Sequence, residues 1–473
     1  MTEPAARSSL VPALIYAALS TAIVSSLGML LVPTISREMH VSVGTAQWML
    51  TVNLLVGALA TPVMGRLSDG PHKKRLLLSA LWLILAGSVI AAAAPNFTVF
   101  LAGRALQGLT YGIVPVTIAL ARRYVAAGKV RFSISSLSVT VATGVGVGYP
   151  LTGIIAGFFD FRFAFWFAAL FVVTAIIVVF RVVPAGPDEQ APRVPFDYTG
   201  AGLLGLGLGA LLLGVSEGPN WGWSSPWTIG AFLVAAAVFT AWVRAELRTR
   251  YPLVNLRVLR NGDVLLANST AIGLGAAMYI CLSISSLVAQ APAATGYGIA
   301  LPVFWAGFVM FPLSVGSFSA NRLVRRLSHR IPLATLLPIG AGMMAAAGML
   351  LWLAHTQLWE ILTGMLVFGL GMGASYAAMP ALIARSVAAE ELGSSVSFNQ
   401  VLRTVGSSFG TAVAGAVLAA DMAPDLHPTG AGISTTLAIG ALLCAAVFIA
   451  LLIHTLTARS RRTTGGRPGA LVG

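Results

Sequence analysis

GRLSDGPHKKR, Gly65 to Arg75, sets one carboxylate and a knot of basic residues between two long apolar runs. A looser echo, NRLVRRLSHR (Asn321 to Arg330), lies 256 residues further on. A charged loop between two segments long enough to cross a hydrocarbon layer of ~30 Å reads as a turn between membrane spans. Composition carries that reading along the chain. Of 473 residues, 57% are hydrophobic and only 9% charged, against about 25% charged in soluble domains. Burying so many apolar runs in one soluble core exceeds the size at which cores stop growing. The expected class is an all-α polytopic membrane protein.

Fourteen spans are expected, over 10–33, 45–65, 76–95, 98–121, 134–158, 163–183, 199–216, 226–247, 264–290, 300–320, 333–354, 358–384, 395–420 and 432–456. With both termini cytoplasmic, 25 of the 29 Lys and Arg face that side. Arg37 and Arg162 fall in outer loops, and Arg104 and Arg403 within spans. Cytoplasmic loops carry this basic bias, so the net charge of +14 reads as topology and contact with anionic lipid, with no case for nucleic acid. The first span is too long for a secretory signal core, and no small-residue cleavage site follows; it is expected to be retained. Cys281 and Cys444 fall within spans, as free packed thiols. The six His lie in loops or at span ends, with no metal-pair spacing. No nucleophile elbow or phosphate loop occurs, so neither a metal site nor an enzyme is expected.

PAGPDEQAPRVPFDYTG, Pro184 to Gly200, is rich in Pro and charge and reads as a linker. The plan is then six spans, two, and six. An N-terminal bundle covers 1–183, a cytoplasmic linker 184–198, two inserted spans 199–250, an amphipathic loop 251–262, a C-terminal bundle 263–458 and a tail 459–473. The Trp-rich GPNWGWSSPW between the inserted spans suits an interfacial belt. Gly65-Arg66-Leu67 aligns with Asn321-Arg322-Leu323, each between the second and third spans of its half. Internal repeats of this kind place a substrate site near the midplane between halves.

GRALQGLTYG sets Arg104, Gln107 and Tyr111 at i, i+3 and i+7, on one helical face. An Arg within a span is expensive unless it meets a partner or a watery cavity. Asn399, Arg403 and Ser407, at i, i+4 and i+8, put a second Arg in the other half. Asn268, Tyr279 and Gln290 recur every 11 residues, close to three helical turns. That stripe reads equally as cavity lining or as interhelical hydrogen bonding. Gly144, Gly146, Gly148, Pro150 and Gly153 in TGVGVGYPLTG permit close approach and a bend.

These stretches carry a resemblance. GRLSDGPHKKR resembles the G-x-L-x-D-x-x-G-[RK]-[RK]-[RK] loop motif of the major facilitator superfamily at Gly65, Leu67, Asp69, Lys73, Lys74 and Arg75, with His72 where the second Gly falls. GRALQG resembles the R-x-x-Q-G motif. TGVGVGYPLTG resembles the antiporter motif at Pro150 and Gly153, with Tyr149 and Ile154 in place of glycines. TAQWMLTVNLL, GPNWGWSSP, PLVNLRVLRN and FNQVLRTVGSSFG look like the fourteen-span drug:proton antiporter branch. The resemblance implies a major facilitator fold, two six-helix bundles plus two helices, exporting amphipathic small molecules by alternating access. It implies a monomer in a bacterial inner membrane, driven by a proton gradient without a cofactor.

By the same resemblance, with the spacings above, the substrate or proton pathway falls on Arg104, Gln107, Tyr111, Asn53, Asn268, Tyr279, Asn399 and Arg403. A gating latch falls on Gly65, Asp69, Lys73, Lys74, Arg75, Arg322 and Arg325, and a helix bend on Gly144, Gly148, Pro150 and Gly153. One position departs from the branch. Its first span carries an Asp in a D-x-T-x-x-N-x-A-L-P pattern; here Pro33 matches but Val24 stands at the Asp position, and no Asp or Glu lies mid-span. That weakens proton coupling and favours neutral or anionic substrates over cations. A nutrient importer or facilitator of the same fold is the alternative. A polytopic acyltransferase or sensor would want a His–carboxylate pair at the surface or a soluble output domain.

Overall fold

The computed structural model describes residues 9–41, 43–185, 188, 195–327, 333–388, 391–421 and 427–464. Every regular element among them is helical. Thirteen stretches are helices long and apolar enough to cross a membrane. The first expected span is broken instead. Helix α1 (Leu10–Ser26) ends in a 3-10 turn, Met29–Leu31, and α2 (Val32–Glu38) restarts with a Pro in its first turn. The chemistry of the break is local. Ser25 and Ser26 hydroxyls donate to carbonyls three residues back, and Pro33 has no N–H to continue the ladder. With α1–α2 as one traversal, the number is the fourteen expected from hydropathy.

Five more traversals complete the first group: α3 (Val43–Asp69), α4 (Lys73–Ala92), α5 and α6 (Phe97–Gln107 and Ile113–Tyr124, joined by the 3-10 turn Gly108–Gly112), α7 (Ala127–Phe158) and α8 (Arg162–Val182). The pair α9 (Tyr198–Trp221) and α10 (Pro226–Arg248) follows. The last group comprises α11 (Gly262–Gln290), α12 and α13 (Val303–Phe308 and Phe311–Leu327), α14 (Leu333–Leu353), α15 (Leu358–Ser386), α16 (Leu392–Ala420) and α17 (Gly430–Thr464).

Helix α1 packs on α7 and α8, and α4 on α5 and α8. In the last group α11 packs on α16, and α14 on α15 and α17. Two seams join the groups: α3 lies against α16, and α7 against α12, α13 and α15. Small residues permit the second seam. A Cβ at Gly153 would come within 3.0 Å of the Val303 and Phe304 carbonyl oxygens, so the α7 and α12 backbones cross with nothing between them. Pro150 lies inside α7 next to this crossing. Gly144 and Gly148 face the other way, where side chains would strike Ala22 and Ser26 of α1.

The α9–α10 pair is peripheral. Only 17% of the apolar window of α10 is buried, which leaves Trp227 and Leu233 to the surroundings. Leu204, Leu208, Leu212 and Trp242 of the pair nevertheless form one apolar cluster with Ala58 of α3 and Val401 and Val405 of α16. Leu253 and Val254 join it, so the expected amphipathic loop buries its apolar residues against the α3–α16 seam. Cys281 and Cys444 are free and buried.

Candidate functional site

Where the two groups meet, α1, α3, the 108–112 turn, α6 and α7 face α11, α15 and α16 across a cavity of about 50 Å³. Its lining is rich in hydroxyls: Thr21, Ser25 and Ser26 from α1, Thr110 and Tyr111 from the turn, Tyr279 from α11 and Tyr376 from α15. Helix α16 contributes Gln400, Arg403, Thr404 and Ser407, which at i, i+3, i+4 and i+7 share one face. Arg403 is the charged residue of the lining, and its guanidinium lies over the Tyr376 ring, 4.1 Å from the centroid. The Tyr376 hydroxyl points to Met278 Sδ at 3.2 Å. Tyr111 and Tyr279 pair through their hydroxyls across the boundary between groups.

Arg104 does not line this cavity. It is fully buried behind it, with Nε donating to the Met49 carbonyl at 3.3 Å and Nη1 to Gln107 Oε1 at 2.7 Å. Gln107 Nε2 passes the chain on to Ser88 Oγ at 2.9 Å, and Asn53 Nδ2 donates to the Arg104 carbonyl at 3.1 Å. The network cross-links α3, α4 and α5. Arg104 Nη2 has no hydrogen-bond partner among the described residues; it points to the break in the first span, 3.2 Å from where a Gly28 Cβ would lie. Sequence spacing put Arg104, Gln107 and Tyr111 on one face. The 3-10 turn that begins at Gly108 changes the pitch to about three residues per turn, so Tyr111 swings to the cavity and the other two do not.

The polar stripe of α11 divides in the same way. Tyr279 reaches the cavity. Asn268 Oδ1 accepts from Asn399 Nδ2 at 2.9 Å, and Asn399 also donates to the Ala267 carbonyl at 3.0 Å, which locks α11 to α16 outside the lining. Gln290 bonds back to Ser286 on its own helix.

At the basic end of the molecule, Asp69 closes α3 and is buried. Its carboxylate accepts the Gly393 amide at 2.6 Å and the Ser394 amide at 3.0 Å, two unpaired donors of the first turn of α16. A negative group there also meets the positive end of the helix dipole. Gly65, one turn earlier, allows the approach, since a Cβ there would overlap Ser397 Oγ. The neighbouring basics take other partners. Lys73 donates to Asp188 at 3.0 Å and to the Gly70 carbonyl at 2.8 Å, and Lys74 to the Phe180 and Val183 carbonyls. Arg75 is exposed; Arg322 is exposed over the Phe318 ring; the Arg325 side chain lies outside the described residues. Asp69, expected to pair with the basic residues of its own loop and with Arg322 and Arg325, instead rests on the amides of α16, 324 residues away.

Asp188, in the linker, also accepts from Arg123 Nε at 2.7 Å, and its own amide donates to the Pro71 carbonyl. Burial alone would push its carboxyl up, but the hydrogen bonds from Lys73 and Arg123 outweigh it and hold the group below the ordinary carboxylate range. Arg122 of α6 crosses between groups to the Ala384 and Val387 carbonyls at the end of α15. Sequence reasoning passed over Tyr376, Gln400, Asp188 and Arg122. Tyr376 had a usable sign, a phenol inside the apolar run GASYAAMP; the others carried none. No group of three His, Cys, Asp or Glu able to hold a metal occurs among the described residues.

The family model of the Major Facilitator Superfamily matches residues 13–411. The chain is 28% identical over 404 residues to the multidrug resistance protein Stp of Mycobacterium tuberculosis, covering 84% of this chain and 73% of that protein. It is 22% identical to the multidrug transporter protein MdtP of Bacillus subtilis, covering 78% and 68%. Against the lincomycin resistance protein of Streptomyces lincolnensis it is 28% identical, covering 63% and 60%. In fold it is similar to the human organic anion transporter MFSD10 (TETRAN), with a TM-score of 0.67 over 95% of this chain and all of that one, at 15% identity.

Proposed function

The chain belongs to the Major Facilitator Superfamily as a multi-pass membrane transporter, and from that premise we propose that it exports amphipathic small molecules, antibiotics among them, by alternating access coupled to a proton gradient. The helices from α1 to α8 and from α11 to α17 act as two bundles that rock about the cavity between them, with the basic end at the cytoplasm. The observation that carries this reading is the Asp69 contact with Gly393 and Ser394, which bridges the bundles at one end of the cavity. A pair of charge-assisted bonds between the two bundles is a contact that can be made and broken as a step. The relatives named for drug resistance support outward transport of such compounds.

Proton coupling needs a carrier, and Val24, buried in the first span, offers none. Asp69 is placed to serve. A proton on it weakens its hold on the two amides and favours opening of the inner end. The test is drug accumulation in cells expressing the protein, with a panel that includes a lincosamide, with and without a protonophore. The expected result is lowered accumulation that the protonophore abolishes. Raised accumulation would favour an importer of the same fold.

A further inference from the structure

We propose that the cavity selects planar aromatic anions, with Arg403 as the residue that holds the negative group; this rests on the export reading. The structure separates the two intramembrane arginines. Arg104 donates to Met49 and Gln107, and it lies behind the lining with Nη2 directed to the break in the first span, away from the cavity residues. Arg403 is 93% buried, faces the cavity, and forms no salt bridge with any described residue. No Asp or Glu lines the cavity. Asp69 is held by the two amides, and Asp421 Oδ2 accepts from Thr429 Oγ1.

A guanidinium withdrawn from water without a counter-charge is costly, and a bound anion removes that cost while a bound cation adds to it. The Tyr376 face beneath Arg403 offsets part of the charge and restrains the guanidinium beside the cavity, where an anionic group would meet it. The remaining lining supplies what a planar aromatic body would use. Tyr111, Tyr279 and Tyr376 offer rings, and the Thr110 hydroxyl, without a hydrogen-bond partner among the described residues, offers a donor to an oxygen on the ligand. The present 50 Å³ is well below a drug-sized site, so selection operates as the bundles part and these side chains separate around the ligand.

The experiment uses two dyes with one xanthene frame and opposite charge, fluorescein and rhodamine 123, titrated by fluorescence anisotropy into the purified full-length protein in nonionic detergent at pH 7.5. Wild type is expected to bind fluorescein at least tenfold more tightly than rhodamine 123. R403Q should lose that preference, through at least a tenfold weaker fluorescein affinity, and R403K should keep most of it. The proposal is overturned if wild type binds rhodamine 123 as tightly as fluorescein, if it binds no fluorescein, or if R403Q holds fluorescein like wild type. Should R403Q not fold, as judged by thermal melting, the wild-type ratio together with R403K decides. Because binding is read without transport, a preference for rhodamine 123 leaves the export reading standing. Selective fluorescein binding in a protein that moves no drug overturns export alone.

Discussion

The Asp69 carboxylate accepts the Gly393 amide at 2.6 Å across 324 positions of sequence. It joins the end of one membrane helix, α3, to the start of another, α16, in opposite halves of the molecule. The bond uses donors that every helix start leaves unpaired, so its strength depends on charge and close approach and needs no particular side chain on α16.

Asp69→Asn keeps the size of the side chain and removes its charge. The amide oxygen accepts one bond where the carboxylate accepts two, and the helix-dipole attraction, worth about 0.3–2 kcal/mol, is lost. Efflux should fall about tenfold while membrane insertion stays normal. A cysteine placed at Thr404 should become more reactive to reagents added from the cytoplasmic side. Unchanged efflux and unchanged labelling would reduce Asp69 to a topological anchor.

Gly393→Val attacks the same contact by volume. A Cβ there lands on Ser68 Oγ and within 2.6 Å of Asp69 Oδ1 and 2.7 Å of the Gly65 carbonyl oxygen. Backbone at that distance cannot yield, so the seam between α3 and α16 must part. Substrate binding should survive while transport is abolished, with the labelling pattern of Asp69→Asn in stronger form. A variant that transports at half the wild-type rate or better would show that the inner seam need not close.

Asp188 ties the linker to Lys73 and Arg123 and titrates below the ordinary carboxylate range. A depressed value means the tie contributes fully above that range and disappears as pH falls through the lowered value. Asp188→Asn should cost about 1–2 kcal/mol at pH 7. Its melting temperature should lie several degrees below wild type there, and the gap should narrow as pH falls below the ordinary carboxylate range. A gap that stays the same however far the pH is lowered below that range would mean the carboxylate charge is not what holds the linker.

The membrane spans were legible because apolar run length is a property of the sequence itself. Asp69 was legible as a lone acid in a basic loop. Its partners were not, because Gly393 and Ser394 act through their backbone amides, and no side-chain pattern marks a helix start as a binding partner. Arg104 announced itself by its cost. Its direction was hidden by the 3-10 turn at Gly108–Gly112, which no apolar periodicity signals. Tyr376 gave a weaker sign, since a phenol in an apolar helix costs far less than a guanidinium, and only the cavity places it under Arg403.

The buried relay from Arg104 through Gln107 to Ser88 separates structure from transport most sharply. Gln107 is the sole described acceptor for Arg104 Nη1, and Nη2 already lacks one. Gln107→Leu keeps the packing volume but leaves the guanidinium with only its Nε bond to Met49. Removing a hydrogen-bond partner of a buried charge costs about 1.5–3 kcal/mol, so this variant should melt well below wild type and express poorly. Gln107→Glu supplies an acceptor with a counter-charge and should recover the melting temperature. If Arg104 only braces α3, α4 and α5, the Glu variant will also recover efflux. If the relay must release Arg104 during the cycle, the added ion pair will hold it, and efflux will stay low in a protein that is fully folded. Equal melting of wild type and Gln107→Leu would remove Arg104 from the structural account.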